Sequence, residues 1–246
     1  KSIKPLTKNR TEEEAAKILS SWNLQMDRDS AGAAVFGLIY QTIIEELFAK
    51  PLGKELYDHF VLSCNPIYER MVKKIVLQNQ TRWLGEADSG KFVSDCFQKA
   101  MRTGRSMIGS DPSKWKWGDL HKVEFNHPIA VRSRFLEALY DVGPLEVSGS
   151  MDTIYFSGWS PSHPFNSFEG VTLTQTSDMT HPPQLFGTIT MGISGHFFSS
   201  HYKDQISDWL AGRASKDPIT RAEMDKTGFD RVLFRAIPAS AVSMCR

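Results

Sequence analysis

Six histidines, His121, His127, His163, His181, His196 and His201, fall between residues 121 and 201 among many serines. Histidine titrates near neutral pH, so such residues could shuttle protons or bind a metal. A zinc site needs ligands that converge, and its usual signatures are HExxH or paired CxxC. Neither occurs; Asp119 stands two residues before His121, and no further ligand follows at a regular spacing. The three cysteines, Cys64, Cys96 and Cys245, form no CxxC and no disulfide framework, and read as buried or free thiols. Gly192-Ile193-Ser194-Gly195-His196 approaches the GxSxG elbow that exposes a nucleophilic serine, but His196 takes the place of the second glycine. With Phe197 and Phe198 behind it, the segment reads as a strand end entering a buried turn. A hydrolytic triad would have to draw Ser194 or Ser199 together with a distant histidine, and no spacing supports one. Ser199 or Ser200 fits a helix N-cap, with His201, Tyr202 and Asp204 in the first turn.

The elements that must position these residues fall into two groups. Thr11 to Glu14 matches a T-x-x-E capping box, followed by Ala15, Ile18, Leu19 and Trp22 at helical spacing. Asp29 and Ser30 cap a second helix with a wide apolar face from Val35 to Phe48, which Pro51 and Gly53 should stop. Asn65-Pro66 opens a third, with Tyr68, Met71, Val72, Ile75 and Val76 as its stripe, and Phe92 to Ala100 marks a fourth. The period changes after Trp117. Leu145 to Val147, Thr153 to Phe156, Val171 to Thr174 and Phe186 to Thr190 read as short strands, and the Ser/Pro-rich run Gly158 to Phe168 as a surface loop. Tyr202, Ile206, Trp209 and Leu210 restore a helical stripe, Thr220 to Glu223 is a second capping box, and Arg231 to Ile237 reads as a last strand. Helices followed by strands predict an α+β fold. The division expected is a mainly helical region over 1–113, and a strand-rich region with a C-terminal helix and strand over 114–246. Trp115 and Trp117 would anchor the junction, and His121 would fix a turn by hydrogen bonding.

The chain has 246 residues, 41% hydrophobic and 23% charged, with a formal net charge of +1. That is an ordinary globular composition with no field or basic stripe for nucleic acid. No run of residues reads as a membrane span, and no signal peptide opens the chain.

Lys114 to Pro128, KWKWGDLHKVEFNHP, resembles the Trp-Gly-x-x-His…His-Pro signature of the penicillin acylase (penicillin amidase) family. Its residues here are Trp117, Gly118, His121, His127 and Pro128. A second match, Ser194 to Arg213, places that family's Ser-x-His-Tyr-x-Asp-Gln…Trp-Leu pattern on Ser199, His201, Tyr202, Asp204, Gln205, Trp209 and Leu210. DPITRAEMD resembles the acidic helix that closes the large subunit, and Asp152 joins the motif residues given a structural role. One departure is Asn23, where the family often has aspartate after the tryptophan at the Trp22 position.

The resemblance implies an N-terminal-nucleophile hydrolase with a four-layer αββα sandwich, of which this chain is expected to be the C-terminal part of the large subunit. Such enzymes cleave an acyl–amine bond through an acyl-enzyme on the first residue of the processed subunit, whose own α-amine is the base. This chain begins Lys1-Ser2, so the serine nucleophile, the oxyanion asparagine and the family's calcium ligands are expected upstream, and no catalytic residue or cofactor is assigned here. The motif residues are then scaffold, and the chain alone should be inactive. Its partners would be the rest of the large subunit and the small subunit, or a second copy through a sheet edge at Thr153 to Phe156 or Phe186 to Thr190. The location implied is periplasmic or secreted. The alternative is a stand-alone binding module derived from the same region.

Overall fold

The computed structural model describes residues 7, 9–63, 65–84, 88–180, 182–228 and 232. The chain divides into two compact units, Lys1–Thr172 with Ser194–Ser199, and Leu173–Ile193 with Ser200–Arg246.

The first unit opens with helices α1 (Arg10–Ser21), α2 (Ala31–Ile44), α3 (Lys50–Leu52), α4 (Lys54–Ser63), α5 (Asn65–Leu77), α6 (Thr81–Leu84), α7 (Ser89–Ile108) and α8 (Trp117–Leu120). Asn9, and not Thr11, caps α1: its carbonyl oxygen accepts the Glu12 N–H at 3.1 Å while its amide reaches the Glu12 carboxylate at 2.8 Å. The cap lies two residues earlier than expected, and the asparagine serves the Glu12 amide where the threonine would have served that of Glu14. Ser30 caps α2 through the Ala33 N–H at 3.1 Å. α2 carries no charge from Ala31 to Ile44 and is buried on nearly every side. A π-helical turn, Glu45–Ala49, joins it to α3, so Pro51 lies inside the helical run and Gly53, at φ +72°, ends it. The helical run from Ala31 to Leu52 has 22 residues; its most apolar 18-residue window has a mean hydropathy of 1.3 and is 67% buried inside this protein, as a core helix is. α4, which the sequence reading missed, buries Tyr57 and Val61.

The tryptophans close the helical core. Their rings lie against helix faces that only glycine leaves open: Trp22 on Gly32, Trp117 on Gly37 and Trp115 on Gly104. A Cβ at any of these would enter the ring, so each glycine is fixed by packing, despite its low helix propensity.

Four strands complete the unit, β1 (Lys122–Phe125), β2 (Val142–Glu146), β3 (Ser157–Ser160) and β4 (His163–Gly170), in the order β2-β1-β4-β3. β1 pairs antiparallel with β2 and parallel with β4, and β3 pairs antiparallel with β4. Helix α9 (Arg134–Tyr140) connects β1 to β2. Two expectations fail here. Thr153 to Phe156 is a turn, held by the Thr153 hydroxyl at the Ser150 and Tyr155 carbonyls. Gly158 to Phe168 is not a surface loop: it contributes most of the β3–β4 hairpin, and β3 is buried throughout. Its small polar residues suit burial because their hydroxyls find partners inside.

The second unit holds β5 (Leu173–Asp178), β6 (Gln184–Ile189) and β7 (Ser215–Asp217), in the order β5-β6-β7, with α10 (Ile206–Leu210) and α11 (Arg221–Lys226). β6 is paired on both sides, so the segment around Phe186 to Thr190 is not a free edge. Thr220 and Glu223 form the expected reciprocal cap of α11. The helix expected from Ser199 begins only at Ile206, with Gln205 as its N-cap; neither Ser199 nor Ser200 caps it. The strand expected over Arg231 to Ile237 lies outside the described residues, apart from Val232. The class is α+β.

Candidate functional site

α8 is held by backbone bonds from the Trp117 N–H to the Ser30 carbonyl (3.1 Å) and from Gly118 to Arg28 (2.7 Å). Gly118 admits the Glu146 side chain, where a Cβ would come within 2.8 Å of the glutamate Cβ. The Trp117 indole donates to the Gly149 carbonyl at 2.9 Å, and the Trp115 indole to Gly109 at 2.8 Å. These contacts aim His121 inward beneath Trp117, with ring centroids 4.8 Å apart.

His121 is 0% exposed, and both its nitrogens are bonded. Nδ1 lies 2.9 Å from the Phe165 carbonyl and Nε2 lies 2.9 Å from the Ser157 hydroxyl. A carbonyl only accepts, so Nδ1 carries the proton and Nε2 accepts from serine. Ser157 in turn meets Ser167 at 2.8 Å, and the Ser167 hydroxyl reaches the Glu169 carbonyl at 3.2 Å. Phe165 adopts a left-handed backbone, φ +69°, with its ring clamped by Trp117 and Trp159. Such a conformation is unfavourable for an aromatic residue and persists where surroundings hold it. Serine, imidazole and acceptor are arranged as in a nucleophile–base pair, yet they cannot act as one. Burial pushes the imidazole down to about 4, and no carboxylate supports it. Ser157 is 1% exposed.

The other motif residues are scattered by role. His127 receives the Ile129 N–H on Nδ1 at 3.2 Å, its own N–H donates to the Asp141 carboxylate at 2.8 Å, and Pro128 opens the turn that follows. In the second unit His201 is exposed and pairs with Asp204 at 2.9 Å, while Tyr202 and Trp209 are buried. The Gln205 carbonyl oxygen accepts the Ile189 N–H at 3.0 Å and the Thr188 hydroxyl at 3.3 Å, tying α10 to β6. Ser194 accepts the His196 N–H at 3.2 Å in a segment where Ile193 and Phe198 are largely exposed, so the buried turn expected there is a surface one. Its apolar side chains had read as core. Cys96 is buried, its thiol pushed up to about 12 by desolvation; Cys64, Cys245 and His181 lie outside the described residues. Among the described residues, no three His, Cys, Asp or Glu side chains cluster as a metal centre requires.

A cavity of about 450 Å³ opens in the first unit between α2, α5, the 150–153 turn and β3. It is lined by Phe36, Tyr40, Tyr68 and Trp159, with Glu69 and Asp152 at its polar end. Burial raises the Glu69 carboxyl well above the carboxylate range, and a hydrogen bond to Asp152 raises it further. The two tyrosines are held as phenols, chiefly by burial.

The family model for penicillin amidase matches residues 1–226. The chain belongs to the penicillin amidase family. Among its relatives in the family, the acyl-homoserine lactone acylase QuiP of Pseudomonas fluorescens is 23% identical over 232 residues, covering 91% of this chain and 28% of that protein. The penicillin acylase 2 proenzyme of a Pseudomonas species is 22% identical over 202 residues, covering 80% of this chain and 25% of that protein. The thermostable penicillin G acylase of Alcaligenes faecalis superposes with a TM-score of 0.51 at 13% identity, over 95% of this chain and 44% of that one. The chain thus spans about a quarter of the curated relatives it matches, and its fold is one found within a penicillin acylase. The Trp-Gly-x-x-His signature forms the buried knot. Sequence reasoning missed its partners, Ser157, Phe165 and Ser167, because a Gly/Ser/Pro-rich run signals a loop; it also missed Glu69, one glutamate on an otherwise ordinary helix.

Proposed function

We propose that this chain is the C-terminal portion of the large subunit of an amidohydrolase that cleaves linear acyl–amine bonds through an acyl-enzyme, with its nucleophile supplied by a segment N-terminal to it. The observation that carries the reading is the penicillin amidase match over residues 1–226, together with relatives named as acylases, of which the chain spans only about a quarter. The knot supports it, since the family's most recognisable histidine is buried and bonded as scaffold. Large exposed apolar side chains, among them Ile154 at 104% and Phe135 at 73%, give surfaces for the remaining subunit segments to cover. Acyl-homoserine lactones and β-lactams are the substrate classes that the relatives' names put forward. Any calcium site would belong to the upstream segment, and a periplasmic or secreted location follows from the same reading.

The test compares this chain alone with the complete enzyme on a chromogenic phenylacetyl anilide and on an acyl-homoserine lactone. Turnover is expected only from the complete enzyme, and should vanish when its N-terminal serine is replaced by alanine. Turnover by the chain alone, abolished by Ser194→Ala or Ser199→Ala, would overturn the reading in favour of a self-contained hydrolase.

A further inference from the structure

The second sheet ends on a strand whose outer side is bare. β5 pairs with β6 in consecutive steps, from Leu173 with Ile189 to Asp178 with Gln184, without a bulge. Among the described residues, no backbone group on the other side of β5 meets a hydrogen-bonding partner, and every residue of the strand except Thr174 is exposed. A bare row of N–H and C=O groups accepts another strand, so proteins guard sheet edges with proline, lysine, a bulge, short length or burial. Among the described strands the other sheet edges are guarded in these ways: β2 carries Pro144, β3 is buried throughout and β7 is three residues long. β5 has no such guard. Leu173, 54% exposed, stands at its start, and Met179, 84% exposed, directly follows its end. The run Leu-Thr-Gln-Thr-Ser-Asp-Met therefore has the same character read from either end, apolar outside and polar within, with Thr176 at its centre.

We propose that β5 is a self-pairing edge, with residues 173–179 of one copy lying antiparallel to the same residues of a second copy about a two-fold axis at Thr176. In that register Leu173 faces Met179, Thr174 faces Asp178, Gln175 faces Ser177 and Thr176 faces its own counterpart. Directly opposed side chains share a face of the sheet, so the two exposed apolar residues cover each other at both ends, and polar pairs meet between them. Asp178 is the charged residue of the run, and its two copies would lie about 14 Å apart along the strand, beyond the roughly 8 Å screening length at physiological salt. A formal net charge of +1 adds little repulsion between copies. This symmetry favours a second copy over an unrelated strand. Two three-stranded sheets become one of six strands, each copy uses its open edge once, and the assembly closes at a dimer. A ladder this short is a small interface, so the dimer is weak. The pairing depends on this chain's own residues and not on the acylase reading.

Sedimentation of the full chain between about 1 µM and about 1 mM, the range of weak association, tests it. A reversible monomer–dimer equilibrium is expected, with the outer amides of residues 173–179 exchanging hydrogen more slowly as concentration rises. Thr176→Lys and Thr176→Glu each set like charges face to face on the axis, and each should weaken dimerisation at least about tenfold at low salt. An equal mixture of the two variants should restore it. Thr176 is exposed, so both variants should keep the fold, which circular dichroism checks. If either does not, the concentration dependence of exchange in the parent chain carries the test. A chain that stays monomeric throughout, a dimer unchanged in both variants or not restored by mixing them, or larger species sensitive to the same variants would overturn the proposal. So would outer amides protected even at the lowest concentration, since the strand would then be covered within one chain.

Discussion

His121 and His201 both come from motifs that mark the family, and they live in opposite environments. His121, in the first unit, is dry, bonded at both nitrogens and pressed under a tryptophan. His201, in the second, is exposed and pairs with the Asp204 carboxylate at 2.9 Å. The same side chain joins Trp117, Ser157 and Phe165 in one place and lies on a turn in the other. A motif histidine therefore carries no fixed role; its burial and the number of its bonds decide what it does.

The largest effect should come from Trp117→Ala, which removes the roof over His121, empties the site beside Gly37 and leaves the Gly149 carbonyl without its donor. A loss of about 3–5 kcal/mol is expected in denaturant unfolding followed by tryptophan fluorescence and circular dichroism. An unchanged midpoint would remove the knot from the account of stability.

Next comes acid. The folded His121 titrates at about 4 against an ordinary 6.5, so the unfolded chain binds this proton first as pH falls. Stability from this residue is complete above about 6.5 and lost progressively down to about 4, by about 3 kcal/mol in all. Unfolding measured at pH 7, 6, 5 and 4 should show that slope, and His121→Gln should flatten it despite a lower starting stability. A slope that persists in the variant would place the acid sensitivity elsewhere.

A smaller change is expected at the exposed cap of α11, where the Thr220 hydroxyl accepts the Glu223 N–H and the Glu223 carboxylate returns to the Thr220 N–H at 3.1 Å. Thr220→Ala should cost about 1 kcal/mol, read as faster amide hydrogen exchange at Met224. Exchange unchanged there would mean the cap contributes nothing to that helix.

His201→Ala should matter least, at most about 1 kcal/mol, fading in salt, because a solvent-exposed pair is screened and its side chains lose freedom on pairing. A larger, salt-insensitive loss would make the two histidines alike and dissolve the comparison.

What the sequence disclosed follows the same division. Helices with one apolar face announced themselves by period, and Ser30 and Thr220 announced two of their starts. The β3–β4 hairpin stayed hidden because Ser157, Gly158, Ser160 and Ser167 carry the composition of a loop. Their burial depends on a histidine 36 residues away from Ser157, and no local window contains both. Thr153 to Phe156 has strand composition, yet the Thr153 hydroxyl folds it into a turn. Ile206–Leu210 shows a helical stripe, but the preceding residues spend their backbone on turns, so only its last part coils. The cavity was invisible for a similar reason: Tyr40, Glu69, Asp152 and Trp159 meet only once the chain has closed.

The imidazole of His121 also sets a timetable. Its acceptor on Phe165 is made 44 residues later. At roughly 5–20 residues per second, a ribosome leaves that ring without its partners for some seconds. During this interval Trp117 can settle against Gly37, already synthesised, but the polar end of the knot faces water. The parallel pairing of β1 with β4 waits on the same segment, since Lys122 and Val123 meet Asn166 and Ser167. Biogenesis of the first unit is thus two-stage: a helical body that can assemble early, and a sheet that locks only after Ser167 has left the exit tunnel. Chaperones that shield nascent apolar surface would find their clearest opening in between.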